Sequence, residues 1–211
     1  MLWVIFRYDI PIWFVGLITN WLPDNRITIK LRGLLFKPFI YKCGKNFTLA
    51  KNVQLKSTNK LTIGDNVYFA SGVWLNAMGY MTIEDEVVIG PYVVISTGTH
   101  QFKNGSVRFG GSIFKPVRIG RGTWLASHVV VKAGVNIGKG VLVAANAAVA
   151  KDIPDNVIAG GVLSIVNEVD DVETLPATSL ALTTRLKFPS FDIVLPEVNG
   201  FPFKVIEKLS R

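Results

Sequence analysis

The 211-residue chain is poor in the residues that build disulfide-stabilised and metal-centred proteins. It contains one cysteine and two histidines. A single cysteine cannot form an intramolecular disulfide bond, which excludes a disulfide scaffold and suits a reducing compartment. We therefore expect a cytoplasmic protein that is stabilised by a hydrophobic core, and apolar residues make up 49% of the chain.

Acidic residues are scarce relative to basic ones. The chain has 15 aspartate and glutamate residues against 23 lysine and arginine residues, which gives a formal net charge of +8. This surplus favours an anionic partner such as nucleic acid, acidic lipid, coenzyme phosphates or an acidic glycan. Because no basic helix or nucleic-acid-binding motif is present, we predict that nucleic acid is not the partner.

A period of six residues runs through most of the chain. A helix with 3.6 residues per turn would scatter such a series around its axis. Three short strands per coil instead place the whole series inside a triangular prism, so we predict a parallel β-helix with roughly 18 residues per coil. The pattern slips by two residues at Thr62 and Thr82, and it is interrupted between Ile95 and Ile119. The inward positions are Cys43, Leu49, Leu55, Ile63, Phe69, Leu75, Ile83, Ile89, Ile95, Ile119, Leu125, Val131, Ile137, Val143 and Val149.

The repeat resembles that of the hexapeptide-repeat acyltransferases, whose fold is a left-handed parallel β-helix, an exception to the usual right-handed crossover. The closer similarity is to sugar O-acetyltransferases of the galactoside, maltose and nodulation type, over roughly residues 43–163. It implies an all-β enzyme that assembles as a homotrimer. The segments that carry it are Gly98-Thr99-His100, Pro116-Val117-Arg118-Ile119-Gly120, Trp124-Leu125-Ala126-Ser127-His128, Lys151-Asp152-Ile153-Pro154 and Ile158-Ala159-Gly160-Gly161.

The resemblance implies that His100 is the catalytic base, because it precedes Trp124 by the family's spacing of 24 residues. A neutral imidazole can take the proton of a sugar hydroxyl, which is a poor nucleophile until that proton is being removed. The resemblance also implies that Trp124 shapes the acetyl pocket and that the backbone N–H of Ser127 stabilises an oxyanion. We expect His128 to be structural.

Two other chemistries are disfavoured. The β-helical carbonic anhydrases bind zinc through three histidines, and this chain has two, so we expect no metal. Cys43 occupies an inward position far from His100, and we expect it to be inert. The acetyl group should therefore pass directly from thioester to hydroxyl in a ternary complex.

The resemblance implies acetyl-coenzyme A as the donor, bound in a groove between two prisms. Three small residues, Ala126, Ala144 and Ala145, stand where the pantetheine chain can approach. Lys151 matches the family lysine near the coenzyme phosphates and Lys139 is a second candidate, although either could be a solvated surface charge. Relatives continue with Gly-x-Pro-Ala-Lys/Arg, whereas residues 160–164 here contain no basic residue, so the 3′-phosphate must be held more weakly or from elsewhere.

Residues 101–116 are predicted to form a protruding loop beside the catalytic base. From Gln101 to Arg121 there are five basic residues and no acidic one. A glycine-containing loop could close over a substrate. We expect Lys103, Arg108 and Lys115 to hold an anionic acceptor or a neighbouring coenzyme, and a solvated loop is the alternative.

Residues 1–23 are strongly apolar but fit neither of two common membrane signals. Arg7, Asp9 and Pro11 leave no apolar run of the ~20 residues that a spanning helix needs, and a signal-peptide cleavage site is lacking. We interpret the segment as a helix that covers the open first coil. The alternative is peripheral docking on a membrane, which its tryptophans favour together with the basic residues Arg26, Lys30, Arg32 and Lys37.

The chain divides into three predicted segments: an apolar helical cap at 1–42, the β-helix at 43–163 and a C-terminal extension at 164–211. We expect a second short helix within 20–38 and another near the end, at 203–210.

These inferences predict an O-acetyltransferase that moves acetyl from acetyl-coenzyme A to a sugar hydroxyl. The acceptor is expected in an acidic bacterial surface glycan made at the cytoplasmic face of the membrane. Capsular polysaccharide O-acetyltransferases, including those acting on polysialic acid, are the nearest subfamily. N-acetylation of an amino-sugar nucleotide is the alternative within the class, and a non-catalytic β-solenoid scaffold is the alternative outside it.

Overall fold

The computed structural model describes residues 2–160 and the strand Lys204–Val205; in it, two helices precede a parallel β-solenoid. Helix α1 (Leu2–Thr19) contains a π-helical turn at Ile5–Asp9, and helix α2 (Arg26–Phe36) leads into the 3₁₀ turn Lys37–Phe39. Asn25 caps α2 by accepting hydrogen bonds from the backbone N–H groups of Ile27 and Thr28. The second helix predicted within 20–38 is therefore confirmed.

The strands, numbered in chain order, form three parallel sheets that enclose a prism. Sheet A contains β1 (Lys42–Cys43), β4 (Leu61–Ile63), β7 (Met81–Ile83), β12 (Val117–Ile119) and β15 (Asn136–Ile137). Sheet B contains β2 (Thr48–Leu49), β5 (Tyr68–Phe69), β8 (Val88–Ile89), β13 (Trp124–Leu125), β16 (Leu142–Val143), β18 (Val157–Ala159) and β19 (Lys204–Val205). Sheet C contains β3 (Gln54–Lys56), β6 (Trp74–Asn76), β9 (Val94–Ser96), β14 (Val130–Val131) and β17 (Ala148–Val149).

The hexad positions point into this prism as predicted. All of those from Leu49 to Val149 are buried, and Cys43, in the open first coil, is partly buried. The two-residue slips lie in corners, one at the 3₁₀ turn Thr58–Lys60 and the other between β6 and β7. The parallel β-helix predicted from the period of six is confirmed.

Small residues after the hexad positions allow neighbouring coils to approach closely. A Cβ atom on Gly90 would lie 2.7 Å from the carbonyl oxygen of Leu125 in the next coil. The backbone N–H of Gly90 donates to that same oxygen at 2.8 Å. Close stacking therefore requires a small residue here, whereas the left-handed turn conformation is taken two residues later, by Tyr92 (φ 57°).

The interruption of the repeat is an antiparallel hairpin of β10 (Gly98–His100) and β11 (Ser112–Phe114). The coils on either side stack directly, because β7 pairs with β12 and places Ile83 beside Ile119. The predicted loop at 101–116 therefore includes the second strand of this hairpin.

The helix that covers the first coil is α2, and not the more apolar α1. Gly33 lies directly against the backbone of Phe47, where a Cβ atom could not fit. Helix α1 forms a second layer and packs on α2 through Ile12 and Val15. Residues 1–23 contact the first coil at its edge, where the backbone N–H of Asn52 donates to Oδ1 of Asn20 at 2.9 Å and the turn Ile5–Asp9 lies beside the turn Thr58–Lys60. The cap over the first coil is therefore formed mainly by α2, with residues 1–23 contributing these edge contacts.

The predicted C-terminal extension lies almost entirely outside the described residues. Its one described element is β19, which pairs in parallel with β18. The helix expected at 203–210 is therefore wrong at residues 204 and 205. Residues 204 and 205 instead form the end strand of sheet B, next to β18.

Candidate active site

Most of the predicted site residues lie at the corners of the prism, which we name after the sheets that meet there. In the fifth coil the A/B corner is formed by residues 138–141, the B/C corner by 144–147 and the C/A corner by 150–152. Each outer face is spanned by about five residues of extended chain, roughly 17 Å. Residues at different corners of one prism are therefore too far apart to contact one reacting group.

His100 lies at the C/A corner, where the hairpin leaves the third coil. Its side chain is exposed, and its Nδ1 atom is 3.4 Å from Oγ of Ser112, the residue opposite it across the hairpin. If Nδ1 carries the proton and donates to Ser112, Nε2 is left unprotonated and able to accept one. Ser112 was not a candidate from the sequence, because its proximity depends on the hairpin register.

Ser127 and the three alanines share the B/C corner. Ala126 and Ala144 occupy equivalent places in successive coils, and Ala145 is exposed beside them. The Ser127 carbonyl accepts from Asn146, whereas no residue in the described part of the chain accepts from the Ser127 N–H. This corner therefore offers a backbone donor next to a line of small side chains.

Trp124 lies on the outside of sheet B. Its side chain is 47% exposed, whereas Leu125 beside it is completely buried. Sheet B is the face opposite the C/A corner, so Trp124 points away from His100 of the same chain.

The other histidine and the cysteine have structural environments. His128 takes a left-handed turn conformation (φ 59°), and its ring stacks on Tyr92 of the preceding coil at 5.3 Å. Burial raises the pKa of the Cys43 thiol to about 11, against the lowering effect of Lys37. At neutral pH this thiol is protonated and a poor nucleophile.

The two candidate coenzyme lysines are separated. Lys151 is exposed at the C/A corner, the corner that carries His100. Lys139 is at the A/B corner, where it lines a shallow groove of about 400 Å³ with Glu84 and Arg121. Lys139 thus lies neither with the alanines nor with Lys151.

The loop cations also occupy different places. Lys115 lies at the base of the hairpin, with its aliphatic chain against Gly134. Lys103 and Arg108 are exposed in the tip, next to Phe102 and Phe109, which are each 77% exposed. These two phenylalanines were not identified as candidates from the sequence. Their position in a polar, glycine-containing loop could have indicated that they are exposed.

Two of the five basic residues between Gln101 and Arg121 have acidic partners. Arg118 pairs with Glu84, and Arg121 pairs with Glu86 at 2.7 Å. The loop cations Lys103, Arg108 and Lys115 therefore carry the positive charge near His100.

Comparisons with known proteins decide the family. No family model matches the chain. WcaF of Escherichia coli K12, which carries the name colanic acid biosynthesis acetyltransferase, is 30% identical over 152 residues, which are 72% of this chain and 82% of WcaF. The galactoside O-acetyltransferase of the same organism is 32% identical over 68% of this chain and 71% of that protein. The chain belongs to the hexapeptide-repeat acetyltransferases.

A solved structure agrees with this assignment. A hexapeptide-repeat acetyltransferase of Vibrio cholerae in complex with acetyl-coenzyme A superposes with a TM-score of 0.62 and 25% identity, over 72% of this chain and 80% of that one. The resemblance to the sugar O-acetyltransferases is confirmed. The protein is an acetyl-coenzyme A-dependent acetyltransferase, and the non-catalytic scaffold is thereby ruled out.

The B/C corner of this acetyltransferase has features that an extended thioester substrate would require. A slender pantetheine chain needs small side chains and accessible backbone groups along its path. Ala126 and Ala144 supply the former and the Ser127 N–H supplies a donor, while Gly160 packs against Ala144 with a φ of 125°. Within Leu2–Gly160, no group of three or more potential metal ligands comes together.

Proposed function

We propose that this acetyltransferase moves the acetyl group of acetyl-coenzyme A directly to a hydroxyl of a sugar, with His100 as the general base. The observation that carries the proposal is the exposed imidazole of His100 at the base of the hairpin, with Nδ1 beside Ser112 Oγ. In the tautomer in which Nδ1 donates to Ser112, Nε2 is free to take a proton from a hydroxyl acceptor. The sugar O-acetyltransferase relatives support the choice of a hydroxyl.

The direct route balances without a covalent enzyme intermediate. The acceptor oxygen attacks the thioester carbonyl carbon while His100 Nε2 takes the hydroxyl proton, and the oxyanion accepts a hydrogen bond from the Ser127 N–H. The C–S bond then breaks, and His100 returns the proton to the coenzyme thiolate. The high pKa of Cys43 supports this route over an acyl-cysteine.

We further propose that each site is built from two copies of the chain in a homotrimer. His100 and Trp124 lie on opposite sides of one prism, whereas attack requires reacting groups about 3–3.5 Å apart. A neighbour that presents sheet B and the B/C corner to the C/A corner of the first copy would bring both sets together. Such a contact joins two different surfaces of neighbouring copies. When each copy is rotated by the same angle and the series closes, the assembly is a ring, of which the trimer is one case.

The proposed acceptor is an acidic surface glycan, of which sialic acid-containing polysaccharide is one class to test. Lys103, Arg108 and Lys115 are exposed near His100, and the chain carries a net charge of +8. The similarity to WcaF, named for colanic acid biosynthesis, supports a polysaccharide context.

The test is a mass-spectrometric acceptor screen with the purified full-length protein and acetyl-coenzyme A. Its arms are neutral and acidic glycans bearing only hydroxyls, polysialic acid, and amino-sugar nucleotides. We expect O-acetylation of an acidic glycan by the wild type and a loss of roughly 10²–10⁴ in turnover for His100→Ala. Preferred N-acetylation of amino sugars, or full activity of His100→Ala, would overturn the proposal.

A further inference from the structure

From Ile10 to Thr19, helix α1 has no charged residue on any side, but only one side contacts the rest of the described chain. Ile12, Val15 and Thr19 are its buried residues. The opposite side exposes large apolar residues, each at least 44% accessible: Leu2, Trp3, Phe6, Ile10, Trp13, Phe14, Leu17 and Ile18. A helix that is apolar all round is normally enclosed, either in a protein core or in a membrane.

Helix α2 packs against α1 and carries further exposed apolar residues. Ile27, Leu31 and Leu34 are exposed on it, with Arg26 and Lys30 on the same helix and also exposed. We name these five residues and the exposed residues of α1 the helical face. It combines aromatic and aliphatic side chains with two cations, although Asp9 on α1 is exposed as well.

The structure also shows which basic residues are available. Of the four expected to favour a membrane, Arg32 is completely buried and Lys37 donates to the Gly44 carbonyl at 2.8 Å. Only Arg26 and Lys30 remain for a partner. The charge on the helical face is therefore smaller than the sequence indicated but lies within its apolar surface.

We propose that the helical face docks the enzyme on an anionic membrane surface, with α1 lying in the plane of the interface. Apolar side chains would enter the headgroup and acyl boundary, while Arg26 and Lys30 contact acidic headgroups. Trp3, Trp13 and Trp21, the last of which is 87% exposed, are of the type that concentrates at membrane interfaces. The net charge of +8 is complementary to such a surface.

Polar contacts hold α1 along the protein and favour docking over spanning. By length and composition alone, α1 could cross a membrane. Near its start, Arg7 donates to the Pro38 carbonyl at 2.8 Å. At its end, the buried Arg32 donates to the carbonyls of Thr19 at 3.2 Å and Leu22 at 2.6 Å. A spanning helix would break these contacts and leave the buried Arg32 guanidinium with Asp24 as its remaining acceptor.

Vesicle flotation of the full-length protein tests the proposal. The probes are vesicles of phosphatidylcholine alone and of phosphatidylcholine mixed in equal parts with phosphatidylglycerol. We expect the wild type to float with the anionic vesicles, to do so less at high salt, and to be released by alkaline carbonate, which does not extract spanning helices.

Two sets of substitutions separate the apolar and electrostatic contributions. Trp13→Gln, Phe14→Gln and Leu17→Gln together should abolish flotation with both vesicle types. Arg26→Gln with Lys30→Gln should weaken partitioning onto anionic vesicles by roughly 30-fold, because each interfacial cation contributes about a factor of five. Lys60→Gln with Lys132→Gln removes the same charge from the prism and should leave flotation unchanged.

Several outcomes would overturn the proposal. Absence of flotation by the wild type would mean that something other than lipid covers the face, and light scattering would then distinguish a second copy of the chain from residues 161–203. Resistance to carbonate would indicate a spanning helix. Equal losses in the cation variant and its prism control would indicate an effect of net charge alone. Circular dichroism checks that each variant is folded.

Discussion

His100 and Trp124 lie on opposite sides of the same prism: His100 leaves it at the C/A corner, and Trp124 faces outward from sheet B. Within a single chain, these two residues are too far apart to act on the same substrate. An exposed tryptophan on one face and an exposed histidine beyond the opposite corner become meaningful when copies are placed side by side. This relationship leads to the first prediction.

Mixing two inactive variants should restore activity if each site uses two copies. His100→Ala and Trp124→Ala should each lose at least ~10-fold in turnover, since small misplacements at a reacting centre are costly. In randomly mixed oligomers about a quarter of the sites would combine an intact histidine from one copy with an intact tryptophan from its neighbour. Co-expression followed by an acetyl-transfer assay measures this. Recovery no greater than the average of the two variants would show that the site lies within one chain.

The two histidines should differ in their effects. His100→Ala should retain coenzyme binding while losing roughly 10²–10⁴ in turnover. His128→Ala removes a ring that stacks on Tyr92, so it should lower the melting temperature while leaving turnover of the folded enzyme intact. Steady-state kinetics and calorimetric coenzyme titration check both. Equal losses of turnover in both variants would mean that the base is assigned to the wrong residue.

Ser112 should act as a positioning residue for the catalytic imidazole. Ser112→Ala removes the group near Nδ1 of His100 and should lower kcat by roughly 2- to 10-fold, the value of one hydrogen bond. Ser112→Thr keeps the hydroxyl and should restore most of this loss. Ser106→Ala, in the same hairpin, is the matched control. If the alanine and threonine variants behave alike, the hydroxyl does not position His100.

The loop cations should affect the acceptor and not the donor. Replacing Lys103, Arg108 and Lys115 together by glutamine should raise the KM for an acidic glycan and flatten its dependence on salt. Each exposed contact contributes about 1 kcal/mol or less, so single substitutions are expected to have little effect. Glutamine at Lys42, Lys45 and Lys51, which are exposed in the first coil, removes the same charge away from the hairpin. A raised KM for coenzyme with normal use of the glycan would assign the loop to the donor.

Asp24 should contribute stability that depends on pH. Burial raises its pKa, but hydrogen bonds from Ser71 and from the Lys51 backbone, together with Arg32, outweigh this, and the net pKa is lowered. A lowered pKa in the folded state means that the contribution is complete above the usual aspartate range, near pH 4, and is lost as pH falls through the lowered value.

Asp24→Asn should therefore be less stable than the wild type at neutral pH, by about 1–3 kcal/mol, because the buried Arg32 loses its charged acceptor. The difference in melting temperature between the two proteins should shrink as pH falls below about 4. Thermal unfolding over a pH series measures it. A difference that stays constant down to acid pH would contradict the ionic role of Asp24.

The sequence could locate residues whose positions follow from the repeat, but not contacts that depend on how separate segments pair. Ile119, Leu125 and Val131 were predictable because a period of six and three buried sides per coil leave one solution. The grouping of His100 with Ser112 was not, because it depends on the register of a hairpin that interrupts the repeat. The separation of Lys139 from Lys151, by contrast, was within reach of the sequence, because residues 12 positions apart in a coil of roughly 18 residues lie at different corners.

For the N-terminal helices, the sequence indicated their apolar character but not how they pack. Their apolar residues and tryptophans indicated a cap or a membrane contact, but hydrophobicity does not say which side of a helix faces the protein. Gly33 allowed α2 to take the place against the first coil, and this left the outer side of α1 exposed. The burial of Arg32 then reduced the expected basic cluster to Arg26 and Lys30.

By itself, the sequence determined the β-helix and its inward residues, because local periodicity carries that information. The candidate catalytic residues came from the resemblance of its motifs to those of the sugar O-acetyltransferases. Tertiary structure decided which helix lies against the first coil, which basic residues stay exposed and which residue faces His100. These depend on how coils stack, how a hairpin is registered and which helix packs first. Such contacts join residues that no local pattern in the chain connects.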